Sequence, residues 1–297
     1  MAARESWGSM ARCHDAPKLR LTLTVTDSES LACPPGVVAR AQGHLISFVA
    51  DAQNHVVCDL KQGFAFGCVS RAAVHHRAYL RYHILEAAAL IMICTGRATC
   101  LHAAAVSWHG HGMLLCGDSG AGKSTLSYAC ARSGWTYTSD DTSFLLWGLF
   151  RPSVMGNSRQ VRFRPSAREI FPEIAGRSLT PRAEGKPSIE IPTAELPGIL
   201  TSDTAAIQSI LLLKRQAAAR PTLTELSYAA AREYFLRRLY PTPEIRAIHL
   251  PILEVLSAAT VYEFRYDDLS LAIDCLKRMV ESTQSSTVVR DQGHLYP

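Results

Sequence analysis

The stretch Met113-Leu114-Leu115-Cys116-Gly117-Asp118-Ser119-Gly120-Ala121-Gly122-Lys123-Ser124 decides how this chain is read. Its apolar start predicts a buried strand, a glycine-rich turn follows, and residues 124–132 predict a helix. Strand, glycine turn and helix in that order describe a phosphate-binding loop. The glycines let backbone N–H groups curl around a polyphosphate, and the helix N-terminus adds partial positive charge. Lys123 is then placed for the β- and γ-phosphates and the Ser124 hydroxyl for Mg²⁺. The expected nucleotide-binding set is Gly117, Asp118, Ser119, Gly120, Ala121, Gly122, Lys123, Ser124 and Thr125, with ATP and Mg²⁺ as the ligands.

Downstream, residues 135–139 read as a strand that ends in Asp140-Asp141. A carboxylate at the end of a strand near a phosphate loop can hold the Mg²⁺ that Ser124 also touches. Its neighbour is free to accept a proton from an attacking hydroxyl. Adjacent carboxylates disfavour double ionisation, so one of the two pKa values is expected to rise. An Asp-Asp pair standing alone is an ordinary turn; beside the loop it becomes a candidate for metal and base. Arg162 and Arg164 alternate along an expected strand at 162–165, so both point to one face, either clamping phosphate or an acidic substrate or lying exposed to solvent. Lys186, in the flexible stretch Glu184-Gly185-Lys186-Pro187, is a weaker candidate for a residue that covers the site.

The order Leu101-His102-Ala103-Ala104-Ala105-Val106, then the glycine loop, then Asp140-Asp141 resembles the HPr kinase/phosphorylase family and its short relatives. It is also similar to the PEP carboxykinases, which share that variant of the nucleotide fold. The resemblance implies an α/β P-loop kinase domain of the HPr kinase/PEP carboxykinase type, with a small β-rich N-terminal subdomain. It implies that His102, Lys123, Asp140 and Asp141 form one active site, and that Ser124, Asp140 and Asp141 attend the metal. His102 gains its role only this way, because a lone histidine beside an apolar strand ordinarily sits in a core. The implied activity is transfer of the γ-phosphoryl of Mg-ATP to a serine-type hydroxyl of a free amino acid, peptide or protein. The other class open to the sequence is a nucleotide-binding regulatory module with little or no kinase activity. Thr125 stands where HPr kinases commonly carry glutamate, and their Glu-Ile-Arg-Gly-Leu-Gly signature is absent. Both departures weigh against HPr itself as the acceptor and against the reverse phosphorylase reaction.

The 297 residues are 47% hydrophobic and 19% charged, a composition that buries a substantial core. The net charge of +5 is spread out, which suits an anionic small ligand and points away from nucleic acid. The nine cysteines show no C-x-x-C spacing and read as reduced thiols of a cytoplasmic protein. The first twenty residues hold no apolar stretch, and no apolar run is long enough to cross a membrane. Homo-oligomerisation is left open.

Along the chain the expectation is a flexible start at 1–18, a β-rich subdomain with a helix at 19–95, the HPr-kinase-like domain at 96–280, and a polar tail at 281–297. The helix at 77–94 is expected to pack on the sheet that follows it. Strands are expected at 101–108 and 113–116, joined by a solvated His109-Gly110-His111-Gly112 turn, and at 143–147, 188–191 and 207–213. Helices are expected at 229–239 and 269–280, with Arg237, Arg238 and Arg246 facing solvent.

Overall fold

The computed structural model describes residues 1–8, 18–149, 151–180, 187–217, 220–238, 243–257 and 259–292. The architecture is mixed α/β with several sheets. Lys186 lies outside the described residues.

Arg20–Thr26 (β1), Val38–Gln42 (β2), Leu45–Val49 (β3), His55–Asp59 (β4) and Phe64–Ser70 (β5) form a five-stranded sheet in the order β1-β5-β4-β3-β2. β1 runs parallel to β5 and the other pairings are antiparallel. Alternation sends Ile46, Val56, Cys58, Ala65 and Val69 to a buried face. That face is covered by helical turns: α2 (Arg71–His75), α3 (Arg77–Tyr79), a π-helical segment Leu80–Glu86, and α4 (Ala87–Cys94). Ile84, Ala88, Ile91 and Met92 pack on it. The expected helix at 77–94 is thus broken into segments, and its apolar face covers chiefly the sheet before it, not the one after. Of the stretch 1–18, expected to be a flexible start, residues 2–7 form a helix, α1 (Ala2–Trp7), built on good helix formers, and residues 9–17 lie outside the described residues. The Ser6 hydroxyl there accepts a hydrogen bond from Arg81 Nε at 3.2 Å.

The larger sheet has ten strands. Ala98–Leu101 (β6), Ala103–Trp108 (β7), His111–Cys116 (β8), Thr136–Ser139 (β9), Ser143–Leu146 (β10) and Ser153–Gly156 (β11) come first. Gln160–Phe163 (β12) and Ile189–Pro192 (β13) pair separately. Leu200–Thr201 (β14), Thr204–Arg215 (β15), Thr222–Glu225 (β16) and Thr260–Tyr266 (β17) complete it. The order is β14-β9-β7-β8-β15-β11-β10-β6, with β17 beside β15 and β16 beside β17. All six residues of β8 are buried because helices cover both faces, which explains its unbroken apolar run. Met113 and Leu115 meet α5 (Lys123–Arg132) and α8 (Leu269–Gln292) on one face. Leu114 and Cys116 meet α6 (Tyr228–Leu236) and α7 (Pro243–Ser257) on the other.

The β7–β8 hairpin turns on His109 (φ 48°) and Gly110 (φ 81°), the left-handed pair of a tight two-residue turn. His111 is not solvated as expected: it is buried in β8, with Nε2 2.9 Å from Ser209 Oγ. α8 runs on to Gln292, through residues assigned to a polar tail, because no glycine or proline interrupts that stretch. No described helix is long and apolar enough to cross a membrane.

Candidate functional site

Three strand ends converge at one edge of the large sheet. β7 is antiparallel to both β8 and β9, so β8 and β9 run the same way and their C-termini emerge together. β8 delivers Gly117 and the glycine loop; β9 delivers Asp140 and Asp141. β7 begins at that edge, and Ala103 pairs with Cys116, which sets His102 across from Gly117. Carboxyl ends of strands are where open α/β sheets bind ligands.

The loop needs its glycines. A Cβ on Gly117 would lie 2.7 Å from the Ala121 Cβ, and one on Gly122 (φ +93°) would lie 2.6 Å from the Tyr266 hydroxyl. Gly122 also precedes α5, so Lys123 opens the helix. Among the described residues, the backbone N–H groups of Gly120 and Gly122 donate to no protein acceptor. The first N–H groups of α5 are unpaired for the usual helical reason. Together they form a patch of donors that is open to solvent and uses no protein acceptor.

Lys123 is buried, and its Nζ donates to the carbonyls of Gly117 at 2.8 Å and Asp118 at 3.2 Å. It also lies 3.0 Å from His102 Nε2. An ammonium only donates, so Nε2 is the acceptor and the imidazole proton rests on Nδ1. Nδ1 in turn faces Asp141 Oδ1 at 3.3 Å. Burial, reinforced by the Lys123 charge, holds the His102 pKa below its ordinary value, which keeps the ring neutral. Burial likewise lowers the pKa of Lys123. Lysine, neutral histidine and aspartate thus form a continuous polar line.

The two aspartates are housed differently. Asp140 is buried; its Oδ1 accepts from the Tyr137 hydroxyl at 3.1 Å and its Oδ2 from the Arg162 backbone N–H at 2.9 Å. Burial and then the Asp141 charge push its carboxyl up to about 7. Asp141 is more open and faces His102 and the Arg162 guanidinium, whose Nη1 is 3.8 Å from Oδ2. Arg162 also pairs with Glu190 across β12 and β13, Nε to Oε1 3.1 Å. The loop and the doublet touch directly, since the Ser124 hydroxyl donates to the Asp140 carbonyl at 3.2 Å.

His102, Lys123, Ser124, Asp140, Asp141 and Arg162 are therefore brought together. Arg164 is not aligned with Arg162 on a strand: β12 stops at Phe163, and Arg164 is exposed at the start of the next turn. Thr125 is half-buried in the first turn of α5. Arg238, expected to face solvent, reaches back to the loop and pairs with Asp118 at 2.6 Å. Tyr137, Glu190 and Arg238 lacked any local signal, because their partners lie on other elements. No cluster of three or more His, Cys, Asp or Glu side chains forms a metal cage among the described residues. Two carboxylates and a hydroxyl beside a glycine loop are donors of the kind Mg²⁺ takes, an ion that keeps several waters and draws ligands from substrate phosphates.

No family model matches the sequence, and no curated protein matches it. Among solved structures, the chain is similar to the HPr(Ser) kinase/phosphatase from Coxiella burnetii at 14% identity and a TM-score of 0.37. That match covers 67% of this chain and 99% of the other.

Proposed function

We propose that this chain is a phosphotransferase that moves the γ-phosphoryl group of Mg-ATP to a serine-type hydroxyl. The observation that carries the reading is the line Lys123–His102–Asp141 running from the glycine loop to the acidic doublet. A module built only to hold nucleotide has no need of a base beside its loop. The free N–H groups of the loop and Lys123 would hold the triphosphate, and Ser124 with Asp140 would hold Mg²⁺. When bound, Mg-ATP supplies the transferable phosphoryl group and neutralises its oxygens. Asp141 would receive the proton of the acceptor hydroxyl as the new O–P bond forms and the bond from the γ-phosphorus to the β–γ bridging oxygen breaks, that oxygen leaving with ADP. His102 keeps Asp141 oriented through Nδ1–H, and Arg162 holds its second oxygen. Most of the rate comes from positioning and charge neutralisation.

The test is mass spectrometry after incubation with Mg-ATP and L-serine or seryl peptides, beside Lys123→Ala. A phosphorylated product that depends on Lys123 is the expected result. Nucleotide bound with no product from any acceptor would defeat the enzyme reading and leave a nucleotide-binding regulatory module.

A further inference from the structure

The flank of the loop away from the aspartates carries a cavity. β9 and its carboxylates lie on the β7 side of β8, whereas β15 lies on the other side. There a cavity of about 310 Å³ opens against Gly117 and Asp118, floored by Leu212 and Leu213 of β15 and walled by Tyr234 and Arg238. It lies near the lower end of small-ligand pockets, which run from roughly 300 to 1,000 Å³. The Arg238 guanidinium carbon lies 3.7 Å from the centroid of the Tyr234 ring, so two flat groups are stacked in its wall. The same guanidinium is anchored on the loop by Asp118. Glu233 and Arg237 add hydrogen-bonding groups at the lining.

We infer that this cavity receives the nucleobase and ribose of the bound nucleotide, with the Tyr234–Arg238 stack as the surface on which the base lies. The inference rests on the proposed triphosphate site and extends it. A triphosphate in the loop has its phosphoryl-transfer end toward Asp141, so its nucleoside must leave by the other flank. That flank offers apolar floor, flat π and guanidinium surfaces, and edge donors and acceptors, the groups on which bases stack and bond. The Asp118–Arg238 pair ties the stacking wall to the phosphate loop, so the two parts of one ligand are read by two connected elements.

The experiment is titration calorimetry of the full chain with Mg²⁺ and either ATP or inorganic tripolyphosphate, which has the phosphates without the base. Tyr234→Leu keeps apolar bulk but removes the flat ring. Ala230→Trp, at an exposed position lining the cavity, fills it without touching the loop. Wild type is expected to bind ATP more tightly than tripolyphosphate. Each variant should weaken ATP on the order of tenfold and leave tripolyphosphate unchanged. Variants that weaken both probes alike, or neither, overturn the base pocket while leaving the phosphate site standing. A wild-type chain that binds neither probe overturns the triphosphate reading itself, and the base pocket with it.

Discussion

The two sheets of this molecule are built for different tasks. The central strands of the ten-stranded sheet are covered by α5 and α8 on one face and by α6 and α7 on the other, and the glycine loop and acidic doublet leave from one edge. The five-stranded sheet is covered on one face only; Val38, Phe64 and Phe66 remain exposed on the other. A strand clamped between two layers has little freedom to shift, so its end can hold a reactive side chain to within a fraction of an ångström. A strand free on one face has no such constraint, and no residue of the candidate site comes from the five-stranded sheet.

If that contrast is right, the largest effect belongs to chemistry at the edge of the large sheet. Asp141→Asn should lower turnover by a factor on the order of 10² to 10⁴, the usual worth of a positioned base, and retain nucleotide binding. Phe66→Ala on the other sheet should leave turnover unchanged. Steady-state rates on an identified acceptor check both, and equal losses in the two variants would erase the contrast.

Stability should divide the same way. Leu114 is fully buried in β8, so Leu114→Ala is expected to cost about 2–5 kcal/mol by urea denaturation. Phe66 is 54% exposed, and its truncation should cost no more than about 1 kcal/mol. Comparable losses would mean that the exposed face is buried against something in solution.

The contrast also governs what was legible in the sequence. The glycine loop, β8 and α5 are contiguous, so composition and order alone located them. Asp140 and Asp141 were legible as candidates because they close a short strand near the loop in sequence. Their unequal roles were not, since those depend on Tyr137, Arg162 and His102 arriving from separate elements. α7 was missed because Pro251 sits inside it, where proline ordinarily argues against a helix. β17 was missed although it pairs with the long β15 and its run Val261-Tyr262-Glu263-Phe264-Arg265-Tyr266 alternates as a partly buried strand does, so its signal was present in the sequence. Arg238 was misread because its partner Asp118 is 120 residues away, beyond any local pattern.

A subtler test concerns Asp140. Its carboxyl is raised from 3.8 to about 7 in the folded chain, so between those values the folded state keeps a proton that the unfolded chain releases. Stability from this group is fully present below the unfolded pKa and is lost as pH rises through the folded one. The slope reaches about 1.4 kcal/mol per pH unit at most. The lowered pKa of His102 acts with the opposite sign but is present in wild type and in Asp140→Asn alike. The difference between their urea stabilities therefore isolates Asp140: Asp140→Asn should lose the decline between about pH 4 and pH 7. Parallel curves would show that Asp140 ionises normally in the fold.

The smallest expected effect lies within the loop itself and sharpens the contrast to single atoms. Gly120 (φ +90°) and Gly122 (φ +93°) share a left-handed backbone, so alanine strains both by about 1–2 kcal/mol. Their surroundings differ. An added Cβ at Gly120 meets nothing within 4 Å, whereas at Gly122 it meets the Tyr266 hydroxyl at 2.6 Å. Tyr266 belongs to β17, and its ring is fully buried in the packed face of the large sheet, so it cannot swing aside. Gly122→Ala should therefore cost about 1 kcal/mol more than Gly120→Ala in paired urea melts. The double variant Gly122→Ala with Tyr266→Phe, which removes the clashing hydroxyl, should recover most of that difference. If Tyr266→Phe restores nothing, the loop is held by its own backbone and not by the sheet beneath it.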